Sequence, residues 1–166
     1  MFYAFDSYYF DDKAKTVCFA FENWTDENPI QIYTETIESN AEYEPGAFYK
    51  KELPCILGIL SKISLKNEDI IIIDGYVILD NEGKYGLGGY LYESLDKKNA
   101  IIGIAKTRYS QNTLHVVEVL RGESKNPLFV TAIGTDLQIA AQNVKNMQGE
   151  FRMPTILKKI DILTKE

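Results

Sequence analysis

Several features that mark other classes of protein are missing from this sequence. Cysteine is scarce, with only Cys18 and Cys55, and both lie in apolar stretches without a C-x-x-C spacing. The N-terminus lacks the basic flank and apolar run of a secretory signal. We therefore expect a cytoplasmic protein whose two thiols are free and buried.

Long hydrophobic runs are lacking as well. The longest apolar segments are interrupted by charged residues well before the roughly 20 residues that a membrane span needs. This excludes a membrane-spanning helix and predicts a soluble protein. A chain of 166 residues with 45% hydrophobic content can bury one core, so we expect a single domain over residues 1–166.

Positive charge is in the minority, and the formal net charge is -6 at pH 7. Lysine and arginine supply the phosphate contacts that dominate non-specific nucleic-acid binding, so the composition argues against such binding. A nucleic-acid enzyme remains open if the acidic residues lie away from the groove, or if metal ions offset them.

Short strands and helices make up the rest of the pattern. Apolar or alternating stretches predict strands at 2–10, 14–22, 30–38, 69–74, 100–105, 114–120 and 127–134. Apolar residues at helical spacing predict helices at 48–63, 136–147 and 154–163. Pro54 would either open a new first turn or kink the first of these helices. The order predicts a mixed α/β fold of ribonuclease-H-like layout, with three antiparallel strands followed by parallel strands and flanking helices.

Three carboxylates stand at informative places in this order. Asp6 lies in the first strand among aromatic residues, Glu52 lies near the start of the first helix, and Asp74 ends a buried strand. An ionised carboxylate in apolar surroundings is costly unless it is paired or bound to a cation. Hard cations such as Mg²⁺ take oxygen ligands, and a bound metal can activate water for phosphoryl chemistry.

Simpler interpretations exist for each of these positions. Asp74-Gly75 between apolar runs is also a strong turn signal, and Asp6 can point to solvent from the edge of a hairpin. Glu52 in a first helical turn is favoured by the helix dipole alone.

Two basic positions have simpler interpretations of the same kind. Lys106 can be a solvated residue that follows a buried strand. The only histidine, His115, falls in an alternating strand, which favours a surface or cross-strand role over catalysis.

A family resemblance links these residues. The stretch YEPGAFYKKELPCIL at 43–57 resembles the endonuclease V motif in which Tyr-x-Pro-Gly precedes a Lys-Glu pair and a proline-containing helix. Segments that resemble later motifs follow in the family's order: IIIIDG (70–75), YGLGGYLYESL (85–95), IIGIAKTRY (101–109), NPLFVTAIG (126–134) and GEFRMP (149–154).

The resemblance implies a role for each matching residue. Asp6, Glu52 and Asp74 match the acidic metal site, and Lys106 matches a lysine near the scissile phosphate. Two further segments match the parts that handle a base turned out of the strand. The wedge comprises Tyr43, Glu44, Pro45 and Gly46, and the loop that holds the base comprises Gly86, Leu87, Gly88 and Gly89.

The implied function is a Mg²⁺- or Mn²⁺-dependent endonuclease that cuts DNA or RNA on the 3′ side near an inosine, leaving 5′-phosphate and 3′-hydroxyl ends. Two motifs depart from the family pattern: residues 76–84 replace its His-Pro-Arg segment, and Gly134-Thr135 replaces its Gly-His pair. These departures leave open a catalytically impaired relative that binds modified nucleic acid or a protein partner. The oligomeric state is not indicated.

Overall fold

The structure is a computed structural model that describes residues 1–38 and 49–166. Within these ranges the strands are β1 (Phe2–Phe10), β2 (Lys13–Phe21), β3 (Gln31–Glu38), β4 (Ile70–Asp74), β5 (Ala100–Ala105), β6 (Val117–Val119) and β7 (Leu128–Ile133). The helices are α1 (Tyr49–Leu60), α2 (Leu87–Ser94), α3 (Leu137–Lys145) and α4 (Thr155–Thr164).

All of these strands belong to one mixed sheet in the order β3-β2-β1-β4-β5-β7-β6. The predicted antiparallel start is confirmed, because β2 pairs antiparallel with both β1 and β3. Strand β4 then pairs parallel with β1 and with β5. The mixed α/β class predicted from the sequence is therefore correct.

The parallel part of the sheet ends sooner than the sequence predicts. Strand β7 runs antiparallel to both β5 and β6. Strands β5 and β6 therefore run in the same direction, although residues 106–116 between them contain no helix. A short connection at 120–127 joins β6 and β7 as a hairpin, and β7 inserts between β6 and β5 in the opposite direction. The predicted parallel second half holds for β4 and β5, whereas β7 runs antiparallel.

Alternating side chains of the sheet build a core on each face. One core contains Tyr3 and Phe5 of β1 together with residues of α1 and α2. The other contains Ala4 of β1 together with residues of α3 and α4. The run Ile70–Asp74 contributes isoleucines to both cores, as expected of a strand buried on both faces. Residues at the end of this strand can therefore meet side chains from either helical layer.

The predicted strand 114–120 is only three residues long in the structure, because asparagine side chains form hydrogen bonds with the backbone that precedes it. The Asn81 side-chain oxygen accepts from the N–H groups of Thr113 and Leu114, and the Asn112 oxygen accepts from the N–H of His115. Such bonds compete with a sheet ladder. The prediction that His115 lies in a strand was wrong.

Smaller expectations have mixed outcomes. Pro54 lies inside α1, where it is exposed, and does not open a new helix. Cys18 and Cys55 are buried free thiols, as predicted. In the described ranges, every helix is too short or too polar to cross a membrane.

Candidate active site

Asp6 in the middle of β1 lies beside Asp74 at the carboxyl end of β4, the parallel neighbour of β1. The register pairs Phe5 with Ile73, so the next residue of each strand projects from the same face of the sheet. A side-chain hydrogen bond with Asp6 lowers the pKa of Asp74. The Asp6 carboxyl also accepts the Ser7 N–H at 2.8 Å. Two of the predicted site residues are therefore in contact.

The turn after Asp74 serves this arrangement. Gly75 has φ +134°, a conformation that side chains other than glycine rarely adopt. The chain therefore leaves the sheet immediately after the carboxylate. The role of Asp74 as a metal ligand stays a prediction.

Glu52 lies in the first turn of α1. This helix packs on the face of the sheet opposite to α4. Burial, followed by the negative charges of Asp74 and Asp6, raises the pKa of the Glu52 carboxyl to about 8. A hydrogen bond from the Tyr9 hydroxyl acts in the other direction. Glu52 therefore interacts electrostatically with both aspartates, in addition to any stabilisation that it gains from the helix dipole.

The pair of aspartates carries an excess of negative charge. Burial, followed by the charge of Asp74, raises the pKa of Asp6 to about 7, while the Ser7 N–H and Lys106 lower it. Burial also raises the pKa of Asp74, and Lys106 opposes this rise. Protein crowds Asp74 on most sides, yet its side chain is 43% exposed, so water and a substrate can reach it.

Lys106 is the cation at this pair. It follows β5 by one position, two residues beyond Ile104, which lies opposite Asp74 in the sheet. Its Nζ atom lies 3.9 Å from Asp74 Oδ2, and its side chain is 39% exposed. The alternative of a lysine that merely follows a strand into solvent does not describe this contact.

Asp161 is an acidic residue of the site that the sequence reasoning missed. It lies on α4 and lines a small cavity together with Asp6, Asp74 and Lys106. Burial opposes its ionisation, but Lys165, Lys106 and Lys158 outweigh this effect and lower its pKa. Its charge in turn raises the pKa of Asp6 and of Asp74.

A signal for Asp161 was present in the sequence. Leu157, Ile160 and Thr164 define the inner stripe of α4 at helical spacing, and Asp161 falls within that stripe. An acid on the buried side of an amphipathic helix is unusual enough to mark a site.

The donor set fits a hard divalent cation only in part. In residues 1–38 and 49–166, no three histidine, cysteine, aspartate or glutamate side chains are arranged as a metal-binding group. Asp6 and Asp74 do provide adjacent carboxylates with uncompensated charge, and Mg²⁺ binds through one or two carboxylates while it keeps several waters. Glu52 does not complete a group of three ligands. Metal binding by these residues stays a prediction.

An open cleft of about 350 Å³ adjoins the acidic residues, within the size range of small-molecule sites. It is lined by Tyr49, Glu52, Asp74, Gly75, Tyr76, Leu79, Lys84, Leu87 and Tyr109. The Tyr76 hydroxyl donates to the Thr107 carbonyl at 2.6 Å and accepts the Tyr109 N–H at 3.1 Å. These bonds tie together the segments that leave β4 and β5. The cleft thus combines aromatic walls with carboxylates.

The segment Gly86–Gly89 is placed differently from the expected loop, because α2 begins at Leu87. The N–H groups of Gly86 and Gly89 donate to the Val77 carbonyl, and that of Gly88 donates to the Tyr76 carbonyl. A Cβ atom on Gly86 would collide with the Tyr76 carbonyl oxygen. These three N–H groups are therefore already used within the protein. Leu87, by contrast, lines the cleft, and contact between this segment and a base stays a prediction.

The predicted wedge of Tyr43, Glu44, Pro45 and Gly46 lies outside the described residues. At the near end of the following helix, Tyr49 stacks on Tyr90 with ring centroids 3.8 Å apart. Tyr49 also lines the cleft.

Comparison with solved structures supports the fold. Endonuclease V of Ciona intestinalis, in complex with a 24mer DNA containing an inosine followed by a ribo-adenosine, has a TM-score of 0.79 at 16% identity, covering 99% of this chain and 84% of that chain. Human ENDOV has a TM-score of 0.74 at 17% identity, covering 99% and 82%. Endonuclease V of Bacillus subtilis has a TM-score of 0.71 at 18% identity, covering 99% and 78%. The ribonuclease-H-like fold is therefore confirmed.

Sequence comparison is more specific than fold similarity. Comparison with curated proteins finds no match. The family model of endonuclease V, however, matches residues 2–162, which is nearly the whole chain. The chain belongs to the endonuclease V family of nucleases.

Proposed function

We propose that this protein is a metal-dependent endonuclease that hydrolyses phosphodiester bonds near deaminated bases, in particular inosine, in DNA or RNA. The observation that carries the proposal is the contact between Asp6 and Asp74 at the mouth of an open cleft, with the Lys106 ammonium 3.9 Å from Asp74. Family membership and the inosine-containing DNA bound by the Ciona relative support the choice of substrate.

Each residue of the site has a part in this proposal. Asp6 and Asp74 would hold Mg²⁺ or Mn²⁺ through carboxylate oxygens. When bound, the ion supplies concentrated positive charge that activates water and stabilises the negative charge of the phosphoryl transition state. Glu52, which lines the cleft beside Asp74, positions the attacking water. Lys106 contacts the phosphate.

The cleft beside these residues holds the extruded base in this proposal. Tyr49 and Tyr76 offer ring faces for stacking, and Leu87 offers apolar contact. The predicted wedge at 43–46 fills the space that the base leaves. Residues 1–166 act as one endonuclease V-like domain, and the two free, buried cysteines favour a cytoplasmic location.

The test is cleavage of single-stranded DNA and RNA oligonucleotides that contain one inosine, with Mg²⁺ or Mn²⁺ and with a chelator. Wild type is expected to cut near the inosine only with metal, and Asp6→Asn or Asp74→Asn to abolish cutting. Asp12→Asn is the matched control, because Asp12 occupies an exposed hairpin turn with φ +61°, which asparagine tolerates. Activity that persists in both site variants would refute the assignment.

A second candidate is a catalytically impaired relative that binds modified nucleic acid or a protein partner. It is favoured by the lack of a three-residue metal group in the described ranges and by Tyr76 at the start of the altered segment 76–84. A gel-shift assay beside the cleavage assay separates the two candidates. Binding of inosine-containing strands without cutting in any metal would support the second.

A further inference from the structure

Phe151 is the most exposed of the large apolar side chains in the described residues, with 78% of its surface open to solvent. It stands three residues before Pro154, which caps α4. A single exposed apolar side chain is not unusual in itself, so its surroundings decide what it means. Its position beside a basic groove indicates what it contacts.

The groove has a volume of about 450 Å³ and is called the Phe151 groove below. Its lining residues are Phe151, Arg152, Met153, Thr155, Lys158 and Lys159. Three of these six side chains are cationic, in a chain whose formal net charge is -6. This contrast in charge is the first reason to assign a polyanion to the groove.

The cations of the groove keep most of their charge available. Lys159 donates to the Glu27 carbonyl at 3.0 Å and to the Asn28 side-chain oxygen at 2.7 Å, and both acceptors are neutral. Arg152 donates to the carbonyls of Lys106 and Pro127, which are neutral as well. The charge of Lys158 is partly offset by the Asp161 carboxylate, which lies 3.7 Å from the Lys158 ammonium. The Lys158 side chain is 59% exposed. Two of the three charges therefore face no carboxylate in these contacts.

Phe151 and Arg152 also border a second depression, whose lining includes the acidic residues Glu123 and Glu150. A phosphate chain would be repelled from that depression. Phe151 thus stands between an acidic depression and the basic groove, and it directs a polyanion to one side only.

The Phe151 groove borders the candidate active site. Met153 lines both the Phe151 groove and the small cavity that contains Asp6, Asp74 and Lys106. The Arg152 guanidinium holds the Lys106 carbonyl at 2.5 Å. A strand whose phosphate lies at Lys106 can therefore continue over Met153 into the groove.

We propose that the Phe151 groove binds a single-stranded nucleic-acid segment flanking the cleaved phosphodiester, with Phe151 stacked on an unpaired base and Lys159 and Arg152 on its phosphates. Bases in a duplex already stack on one another, whereas an exposed ring provides a platform for a base of a single strand. The inference rests on the proposed function, since it takes the active site as the origin of the strand.

The test measures binding without cleavage, in chelator, by the fluorescence of 2-aminopurine in single-stranded oligonucleotides that contain one inosine. One set extends from the inosine only on the 5′ side and the other only on the 3′ side. Phe151→Ala is expected to weaken binding of one set by about 5- to 100-fold and to abolish quenching of a 2-aminopurine in it, as loss of one base stack does. Phe151→Tyr should restore both.

Controls separate stacking from a general loss of surface. Ile139→Ala removes an apolar side chain that is 61% exposed on α3, and it should change neither affinity nor quenching. Lys159→Gln should reduce the slope of log affinity against log salt by about 0.7, the value for one phosphate contact on a single strand. Lys98→Gln, at the other end of the sheet, should leave that slope unchanged.

The outcomes distinguish this inference from the nuclease proposal. Strand binding that depends on Phe151 supports the groove even if no variant, wild type included, cuts the strand. Equal affinity of wild type and Phe151→Ala for both sets overturns the inference while leaving the nuclease proposal intact. A wild type that binds neither set, or a Phe151→Ala variant that changes only the oligomeric state in gel filtration, overturns it in favour of a protein contact.

Discussion

The Lys106 ammonium lies 3.9 Å from the Asp74 carboxylate, and its charge lowers the pKa of Asp74 and of Asp6. These two effects have one origin, because the three residues lie close together, on β1, at the end of β4 and just after β5. Lys106 is long enough to contact a phosphate while it stays near Asp74. It therefore links the acidic pair to the substrate that we propose.

Lys106→Met is the first prediction. The variant loses the charge that stabilises a developing phosphoryl anion, and kcat for inosine-containing strands should fall about 100-fold or more. Melting temperature should change little, because a partly exposed ion pair contributes at most about 1 kcal/mol. Lys98→Met, an exposed lysine at the opposite end of the strands, is the matched control. Equal turnover in the two variants would remove Lys106 from the site.

Asp161→Asn is the second prediction. Asp161 lines the cavity under Asp6 and Asp74, and its charge raises the pKa of both. Asparagine removes the charge with little change of shape, so Mn²⁺ binding measured by calorimetry should weaken about tenfold or more, and cleavage should fall with it. Asp96→Asn, in an exposed turn with φ +56°, should match wild type. Unchanged metal affinity would reduce Asp161 to a partner of Lys158 and Lys165.

Much of the site could be predicted from the sequence, because its residues lie in or next to strands that local patterns predict. The isoleucine run before Asp74 predicts a strand buried on both faces, and the hairpin predicts β1 and β2 nearly to the residue. The parallel contact between β1 and β4 follows once the family order is recognised. Asp6, Asp74 and Lys106 could therefore be brought together on paper.

The remainder depends on long-range contacts that no local pattern encodes. Strand β7 runs antiparallel because it returns from β6 through a short connection and inserts between β6 and β5, a strand order that no local pattern shows. Asp161 enters the site from α4, the last helix. Arg121 donates hydrogen bonds to five main-chain carbonyls that are distant in the sequence. The predicted glycine loop is instead largely the start of α2, which begins at Leu87. Glycines are needed there because the segment packs closely on residues 76–77.

The third prediction concerns pH and metal. Burial and mutual repulsion raise the pKa of Asp6 to about 7 and that of Glu52 to about 8, above ordinary values near 4. A raised folded-state pKa contributes stability that is complete below about pH 4 and is lost as pH rises through 7 to 8. In chelator, the melting temperature should therefore fall between about pH 5.5 and pH 8.5.

Mg²⁺ should reverse that fall at high pH, because it compensates the ionised carboxylates that the folded state gathers. Differential scanning calorimetry at both pH values, with and without Mg²⁺, measures the effect. Asp6→Asn removes one titrating group, so its melting temperature should depend less on pH and gain less from Mg²⁺. A wild type whose pH dependence equals that of Asp6→Asn would contradict the raised pKa.

The fourth prediction concerns Arg121, which is 4% exposed and donates to main-chain carbonyls. Its acceptors are the carbonyls of Lys145, Met147, Gly149, Phe151 and Arg152. Burial lowers its pKa, and all of these acceptors are neutral. The guanidinium therefore holds the segment that connects α3 to α4, and with it the position of Asp161.

Arg121→Met leaves several of these carbonyls without a donor, so the free energy of unfolding in urea should fall by about 3 kcal/mol or more. Arg121→Lys should recover only part of it, because one ammonium cannot reach acceptors that a planar fork spans. The exposed Arg108, which pairs with Glu118, gives the control Arg108→Met with an expected loss below about 1 kcal/mol. If the Arg121 and Arg108 variants unfolded at the same urea concentration, the connection between α3 and α4 would owe its shape to its apolar contacts instead of to this guanidinium.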